Sequence, residues 1–358
     1  VSTLVLGGGP AGAAAAIALA RAGAAPVLVE RAAVTVEKVC GEFLAADAAA
    51  LLAGLGLDLA ALGAVPVRQA WFGAGARRSR VTLPFPAWSL PRATLDTALL
   101  DLAVQAGAEL RRGVAAVAAE PDPGGWHLRL ADGAVLRAET LILATGKHEL
   151  RGLARPATGG AIGLKLALEA VEIGDAIALL ACAGGYAGLQ PRAGGGANLC
   201  MALQPGTPGL ADAARDPAAL LAHVMAGSAL ARQLLGPARP GWARVLAVAG
   251  VPYGFVNRAA GPPGLFRVGD QAAVVPSLCG DGIAMALASG GRAAAMIASG
   301  AGAAVHHRAW ARSVAPGMRL AALADGLMAR APELLVAGVG AAPALARWGA
   351  RQTRMGLT

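Results

Sequence analysis

Aromatic residues make up only 4% of the 358-residue chain: two tyrosines, five phenylalanines and six tryptophans. They do not interleave with the basic residues, so the stacking platform of a single-strand nucleic-acid binder is missing and no nucleic-acid partner is expected. Cysteine is also sparse. Cys40, Cys182, Cys200 and Cys279 lie far apart without C-x-x-C spacing, which offers neither a zinc site nor a disulfide framework. No metal is expected, and a reducing cytoplasm is the expected compartment. Charged residues are few, at 15%, but 56% hydrophobic residues exclude a disordered chain. No apolar stretch of membrane-spanning length is free of charges and helix breakers, and no secretory signal pattern precedes the first apolar run. The apolar segment 334–345 is too short to span. With Trp348 and its basic flank of Arg347, Arg351 and Arg354, it reads either as a packing helix or as a peripheral contact with the inner face of a membrane.

Alanine and glycine, the latter with 50 copies, supply much of the apolar count, so a core lined by small side chains is expected. The net charge of +9 is spread over scattered arginines such as Arg77, Arg78, Arg80, Arg111 and Arg112. Such a surface would steer an anionic cofactor or substrate.

The chain opens Leu4-Val5-Leu6-Gly7-Gly8-Gly9-Pro10-Ala11-Gly12, and Glu30 follows Gly12 by eighteen residues at the end of Val27-Leu28-Val29. This reads as strand, glycine turn, helix, strand and acid. Gly7 permits the tight turn, Gly9 lets the backbone approach a pyrophosphate, and Gly12 allows close helix–strand packing. Glu30 would accept a hydrogen bond from a ribose hydroxyl. A dinucleotide site is therefore expected in an α/β chain.

Further along, Glu37-Lys38-Val39-Cys40-Gly41-Glu42 reads as a loop, 45–57 as a helix, and 68–83 as short strands. A helix opens at Pro91-Arg92 and ends at Gly107. Alternating segments near 113–119 and 126–130 precede a buried strand, Leu141-Ile142-Leu143, which meets the turn Ala144-Thr145-Gly146. Residues 160–256 are β-rich with a helical insert at 217–235. Leu265-Phe266-Arg267-Val268-Gly269-Asp270 then leads through Pro276-Ser277-Leu278-Cys279-Gly280-Asp281-Gly282 into a small-residue helix at 283–299. The last fifty residues read as helical and unspecialised.

Three of these pieces in this order resemble the FAD-containing group of p-hydroxybenzoate hydroxylase, the flavin-dependent halogenases and the geranylgeranyl reductases. They are the N-terminal glycine turn with Glu30, the mid-chain Arg92, and the late Gly269-Asp270 with its downstream proline and glycines. Lys38-Val39-Cys40-Gly41 and the run 144–152 look most similar to the geranylgeranyl reductase-related oxidoreductases. The resemblance implies a Rossmann-like FAD-binding domain of the glutathione reductase type, an inserted β-rich substrate domain, and a C-terminal helical tail. The expected boundaries are 1–75, 91–159 and 262–305 for FAD, 76–90 and 160–261 for substrate, and 306–358 for the tail. It implies that FAD is held by Gly7, Gly9, Pro10, Ala11, Gly12, Glu30, Arg31, Cys40, Gly41, Arg92, Val114, Thr145, Gly146, Gly269, Asp270, Pro276, Gly280, Gly282 and Ile283. Asp270 would accept from a ribityl hydroxyl, Arg92 would pair a phosphate, and the helix after Gly280 would face the flavin pyrimidine.

The sequence also departs from these relatives. Where the hydroxylases carry an Asp-Gly pair, it has Thr145-Gly146-Lys147-His148, which leaves open whether NAD(P)H or a separate partner reductase donates electrons. The Trp-x-Trp-x-x-Ile-Pro pattern of tryptophan halogenases is absent. Cys40 beside Lys38 is the expected catalytic pair, a thiol near the flavin with a cation to tune it. Whether Cys40 and Cys279 form a redox pair stays open, as does acid–base work by His148 and a substrate contact by Tyr186 and Gln190. For those two, the alternative is a glycine-rich β-edge. His306 and His307 are expected to begin the helical tail. The resulting expectation is an FAD-dependent oxidoreductase acting on an apolar or aromatic small molecule, with a reductase of the geranylgeranyl reductase type favoured. The alternatives are a monooxygenase or halogenase-type enzyme working through a flavin hydroperoxide, and a non-catalytic redox sensor.

Overall fold

A computed structural model describes residues 2–156 and 160–354. The outer ends of the expected 91–159 and 306–358 segments, and residue 1, lie outside the described residues. The chain begins β1 (Thr3–Leu6), α1 (Pro10–Arg21), β2 (Val27–Glu30), β3 (Phe43–Leu44) and α2 (Ala46–Leu55). A long hairpin, β4 (Val65–Ala74) and β5 (Arg77–Ser89), leads to α3 (Arg92–Gln105) and β6 (Glu109–Arg112). The meander β7 (Ala116–Asp122), β8 (Gly125–Leu130) and β9 (Val135–Ala138) precedes β10 (Thr140–Leu143). The second half contains β11 (Ala161–Glu169), β12 (Ala176–Cys182), β13 (Gly185–Pro191), β14 (Ala197–Leu203), α4 (Leu210–Ala213), α5 (Pro217–Gly227), α6 (Ala229–Leu235), β15 (Arg239–Pro240) and β16 (Leu246–Val251). It closes with β17 (Leu265–Arg267), α7 (Gly282–Ala298), α8 (Ala303–Arg330), α9 (Pro332–Ala341) and α10 (Pro343–Gln352).

Among the described residues the strands form three sheets. A parallel five-stranded sheet runs β17-β10-β1-β2-β6, the order of a nucleotide-binding unit in which β7–β9 form a separate small sheet. Its core strands are fully buried apolar runs because α1, α3 and α7 cover one face while the meander covers the other. A nine-stranded sheet holds β15-β11-β14-β13-β12-β4-β5-β3, with β16 added on β11. The whole β4–β5 hairpin belongs to this large sheet, since β4 pairs parallel with β12 from Gln69 to Gly73. Residues 65–75, expected with the FAD unit, are thus strand partners of the second sheet. A turn at 75–76 folds the hairpin but does not divide two layers. Nor is β13 an edge: it lies between β12 and β14, its glycines allowing close approach rather than marking a sheet border.

Register fixes which side chains share a face of the large sheet. Leu164, Leu166, Leu189, Leu199 and Met201 point to one face, where Leu220, Val224, Leu230 and Leu234 of α5 and α6 cover them. Lys165, Cys200, Gly188, Tyr186, Gln190 and Asn198 occupy the other, through the pairs Lys165↔Cys200, Gly188↔Cys200 and Gln190↔Asn198. That face looks toward the nucleotide-binding unit and toward α8 and α9.

Small residues set the spacing of the first unit, as composition foretold. Helices α1 and α7 pack so closely that a Cβ added to Gly290 would stand 2.1 Å from the Ala11 carbonyl oxygen, while one on neighbouring Gly291 would meet nothing within 4 Å. Gly290→Ala must therefore push the helices apart and is expected to cost about 1–3 kcal/mol. Gly291→Ala should instead stabilise by about 0.4–1 kcal/mol through helix propensity and the lost freedom of the unfolded chain. Denaturant melts of both variants check this; equal stabilities would contradict the packing described.

Candidate active site

The fold asks something different of each of the opening glycines. Gly7 has φ +106, and a side chain there would strike the Ala144 carbonyl; a Cβ on Gly12 would lie 1.9 Å from the Gly7 oxygen. These two make the turn. Gly9 is different, because only the Arg92 guanidinium, at 3.6 Å, lies within reach of its added Cβ. The backbone at Gly9 is thus open toward a cation, at the N-terminus of an α1 that starts with Pro10 and carries no acidic residue in its first turn.

Glu30 is buried, and its carboxylate accepts from the Gly8 amide at 2.7 Å and from the Ala32 amide at 2.9 Å. Each oxygen keeps a further lone pair for a ribose hydroxyl. A narrow pocket beside it is lined by Gly8, Thr35, Lys38, Asp96 and Arg112 among others. Arg31 contacts His148 at Nε2, at 2.7 Å. Burial, followed by the charges of Arg31, Lys38 and Lys147, pushes His148 below its usual value, so it serves as a neutral acceptor. Thr145 turns inward on the His148 carbonyl, Gly146 takes the left-handed conformation at φ +62, and Val114 lines a surface groove with Arg111 and Arg112.

Arg92 forms a two-pronged bond to Asp96, at 2.9 Å in each arm. Burial opposes its charge, but Asp96 and then the Cys40 sulfur more than offset that, so its value is raised. The expected neighbour of the thiol was Lys38. The ammonium of Lys38 lies instead 3.2 Å from Asp96, and the cation beside Cys40 is Arg92. Asp96 occupies the buried face of α3 one turn beyond Arg92, so it draws both cations to itself.

The segment 37–42 is fastened from outside. Lys147 Nζ donates to the Val39 carbonyl at 2.8 Å, and Asn198 Nδ2 to the carbonyls of Cys40 and Gly41 at 3.2 and 3.3 Å. Lys165 Nζ bonds Glu37 at 2.6 Å and Glu42 at 2.5 Å. The three lysines of the chain thus converge on this loop. Burial alone would lower Lys165, but Glu42 and Glu37 outweigh it and hold it as an ammonium; burial, against Lys165, raises Glu42. Glu42, at φ 65, also accepts from the Arg92 amide and so locks the loop to the start of α3. Gln190 and Asn198 keep buried amide oxygens without partners, and the Gln190 amide nitrogen lies 3.1 Å from the position of an added Gly41 Cβ.

On the opposite rim, Gly269 donates its amide to Ser289, and Asp270 lies in a 3-10 turn rather than at the end of β17, its carbonyl held by Arg155. Buried Pro276 introduces a second such turn, Ser277–Cys279, and Gly280 stands before α7, whose first residues are Gly282 and Ile283. The two tyrosines of the chain meet here. Tyr186 bonds the Ser277 hydroxyl at 2.6 Å, and Asp325 of α8 and Tyr253 lie close enough to act on its phenol. Burial raises both phenols and the Asp325 carboxyl, and pushes the Cys279 thiol up to about 12. Cys40 and Cys279 are both free thiols, and the thiol close enough to Cys40 to feel its charge is Cys200. The tail is less plain than expected: Arg354 reaches the Cys279 carbonyl, stacks 4.7 Å from the Phe85 ring, and touches Asp281 at 2.5 Å without hydrogen-bond alignment.

Sequence reasoning missed Lys165, Glu42, Asn198, Asp281, Asp325 and Arg354. Lys165 carried a signal, a charge within the apolar strand β11. Arg354 carried none, since only the folded tail brings it to α7.

A family model described as an FAD binding domain matches residues 1–148. A menaquinone reductase of Mycolicibacterium smegmatis is 32% identical over 332 residues, covering 86% of this chain and 78% of that protein. Among solved structures, the flavin-dependent brominase Bmp2 superposes with TM-score 0.80 at 16% identity, over 100% of this chain and 95% of its own. A geranylgeranyl bacteriochlorophyll reductase-like protein of Thermoplasma acidophilum gives 0.75 at 19%, over 100% and 93%. The open Gly9 backbone, the buried Glu30 and the uncapped start of α7 suit FAD, and the fold is that of the p-hydroxybenzoate hydroxylase-like flavoproteins. The chain belongs to the FAD-dependent oxidoreductases of that superfamily, in the family that the menaquinone reductase represents.

Two tests follow from this geometry. Gly9→Val has room for its side chain and should fold with wild-type secondary structure, yet lose bound flavin by crowding the pyrophosphate. Full flavin occupancy, read from the visible spectrum, would move the cofactor elsewhere. Asp281 is pushed from 3.8 up to about 7, chiefly by burial, with Arg354 opposing and Asp47 adding to the rise. The folded protein therefore holds this proton more tightly than the unfolded chain, and the stability it contributes is present at low pH and lost as pH rises through that window. Relative to Asp281→Asn, wild-type stability should fall by on the order of 4 kcal/mol between pH 4 and 7 and then level off. A pH-independent difference in urea melts would refute it.

Proposed function

We propose that this protein reduces a carbon–carbon double bond in an apolar, isoprenoid-type substrate. The observation that carries the proposal is the relation, over most of both chains, to a protein described as a menaquinone reductase. The site chemistry supports it. Reduced FAD supplies a hydride when bound. Saturating a double bond needs one proton besides that hydride, delivered to the other carbon.

Cys40 Sγ is the donor in this reading. The thiol is partly exposed, its loop is fixed by Lys147, Asn198 and Lys165, and Arg92 offers positive charge to the thiolate left behind. Solvent returns the proton after each turnover. The substrate in this reading runs along Gly188 and Cys200, where the inner face of the large sheet carries small residues. Tyr186 bounds that stretch on the side of α8, and the partnerless oxygens of Gln190 and Asn198 accept from polar groups at its head. Electrons come from NAD(P)H or from a partner reductase.

The test uses flavin-loaded protein with a polyprenyl quinone, under reducing conditions, with NAD(P)H and a flavodoxin or ferredoxin reductase system supplied in turn. The product should gain two hydrogens. A product that gains an oxygen atom instead would favour the oxygenase alternative, and bound flavin that no donor reduces and that does not respond to substituting Cys40 would favour the sensor. Cys40→Ser should retain FAD and lose turnover by about 10²-fold or more; wild-type turnover would remove Cys40 from the reaction.

A further inference from the structure

The exposed apolar residues are not evenly distributed. Among the described residues, the strongly exposed leucines and tryptophan are Leu323, Leu327, Leu334, Leu345 and Trp348, all on α8, α9 and α10. The other large exposed apolar side chains are valines: Val34 and Val36 together in the loop after β2, Val305 near the start of α8, and Val104, Val117 and Val135 singly. Isolated valines need no explanation, but five large groups on three consecutive helices do.

Their spacing places them in stripes with arginine. On α8, Arg312, Arg319, Leu323, Leu327 and Arg330 recur at intervals of three, four or seven, hence on one helical face. On α10, Leu345, Trp348 and Arg351 are each three apart. The arginines at 308, 312, 319, 330, 347 and 351 are exposed. Only two acidic residues lie in these helices. Asp325 turns inward to Tyr186, and Glu333 lies 4.0 Å from Arg77. Arg354, read from the sequence as part of the basic flank, also turns inward, to Asp281.

The buried sides of the same helices form a wall of the candidate active site. Met328, Leu335 and Val336 pack against Phe72, Leu179, Tyr186 and Ala202 on the inner face of the large sheet and against Leu278 of the Ser277–Cys279 turn. One layer of helix thus separates that face from an outer surface that is apolar and basic together. No helix of the described residues is long and apolar enough to cross a bilayer, so this surface could lie on a membrane without crossing it.

We propose that α8–α10 dock on an anionic lipid bilayer, with leucine and Trp348 side chains entering the headgroup boundary and the arginines pairing with lipid phosphates. Docking presents the inner sheet face to substrate dissolved in the membrane. This rests on the apolar-substrate reading above. The mixture of apolar and cationic side chains in single stripes selects an anionic lipid surface over a second copy of this chain, which carries the same positive charge on the same face.

The test is co-sedimentation of flavin-loaded protein with vesicles of phosphatidylcholine alone or mixed with phosphatidylglycerol, without turnover. Pelleting should require phosphatidylglycerol and weaken with salt. Leu345→Ser with Trp348→Ser, and separately Arg347→Glu with Arg351→Glu, should each weaken binding by about tenfold or more while flavin content and melting temperature stay unchanged. Absence of binding by the wild type, or wild-type binding by both variants, overturns the proposal. So does a dimer in solution that the same substitutions dissociate, which would assign the surface to a second copy. Failure to bind vesicles with intact reduction of a detergent-dispersed substrate would refute the docking surface alone; vesicle binding without any reduction would refute the catalytic reading alone.

Discussion

Lys165 is one ammonium buried in an apolar strand, and both of its carboxylate partners come from the loop 37–42, more than 120 positions earlier in the chain. A lone charge in that position would cost several kcal/mol, so the ammonium and the two acids stand or fall together. Their union joins the large sheet to the segment that carries Cys40. Because Glu42 also receives the first amide of α3, the same ion cluster sets where Arg92 begins and hence where its guanidinium faces Gly9. The Arg92 guanidinium facing Gly9, the Cys40 loop and the large sheet are joined by a single buried charge network.

The nucleotide-binding unit follows the opposite strategy. It gains rigidity from closeness rather than from charge, with alanine and glycine letting α1 and α7 approach until backbone meets backbone. Tight contact of small groups leaves few voids and little freedom to repack. A protein with so few aromatic side chains must obtain its fixed geometry this way. Its two tyrosines and three lysines are concentrated around the candidate site.

Local chemistry was legible in the sequence wherever it lay within one stretch of chain. Gly7, Gly9, Gly12 and Glu30 are readable because a turn and its helix are made of neighbours, and the helix opening at Arg92 follows from its apolar period. What escaped depends on distant pairing. Residues 65–75 look like any alternating strand, and only the parallel partnership with β12 decides their sheet. Cys40 was assigned the cation next to it in sequence, Lys38, but Asp96 draws that side chain away and Arg92 takes its place. The glycines of β13 suggested a border, whereas the strand lies in the interior of the sheet between β12 and β14.

The loop around Cys40 takes its hydrogen bonds from Asn198 and Lys165, residues of a sheet assembled more than a hundred positions later in the chain. The two layers are consequently not exchangeable modules. A hybrid that grafted this nucleotide-binding unit onto a relative's substrate sheet would keep its dinucleotide turn and its helices, yet would present the thiol on an untethered loop. The geometry of the Cys40 loop is thus inherited from the later strands of the sheet, although Cys40 lies in none of them.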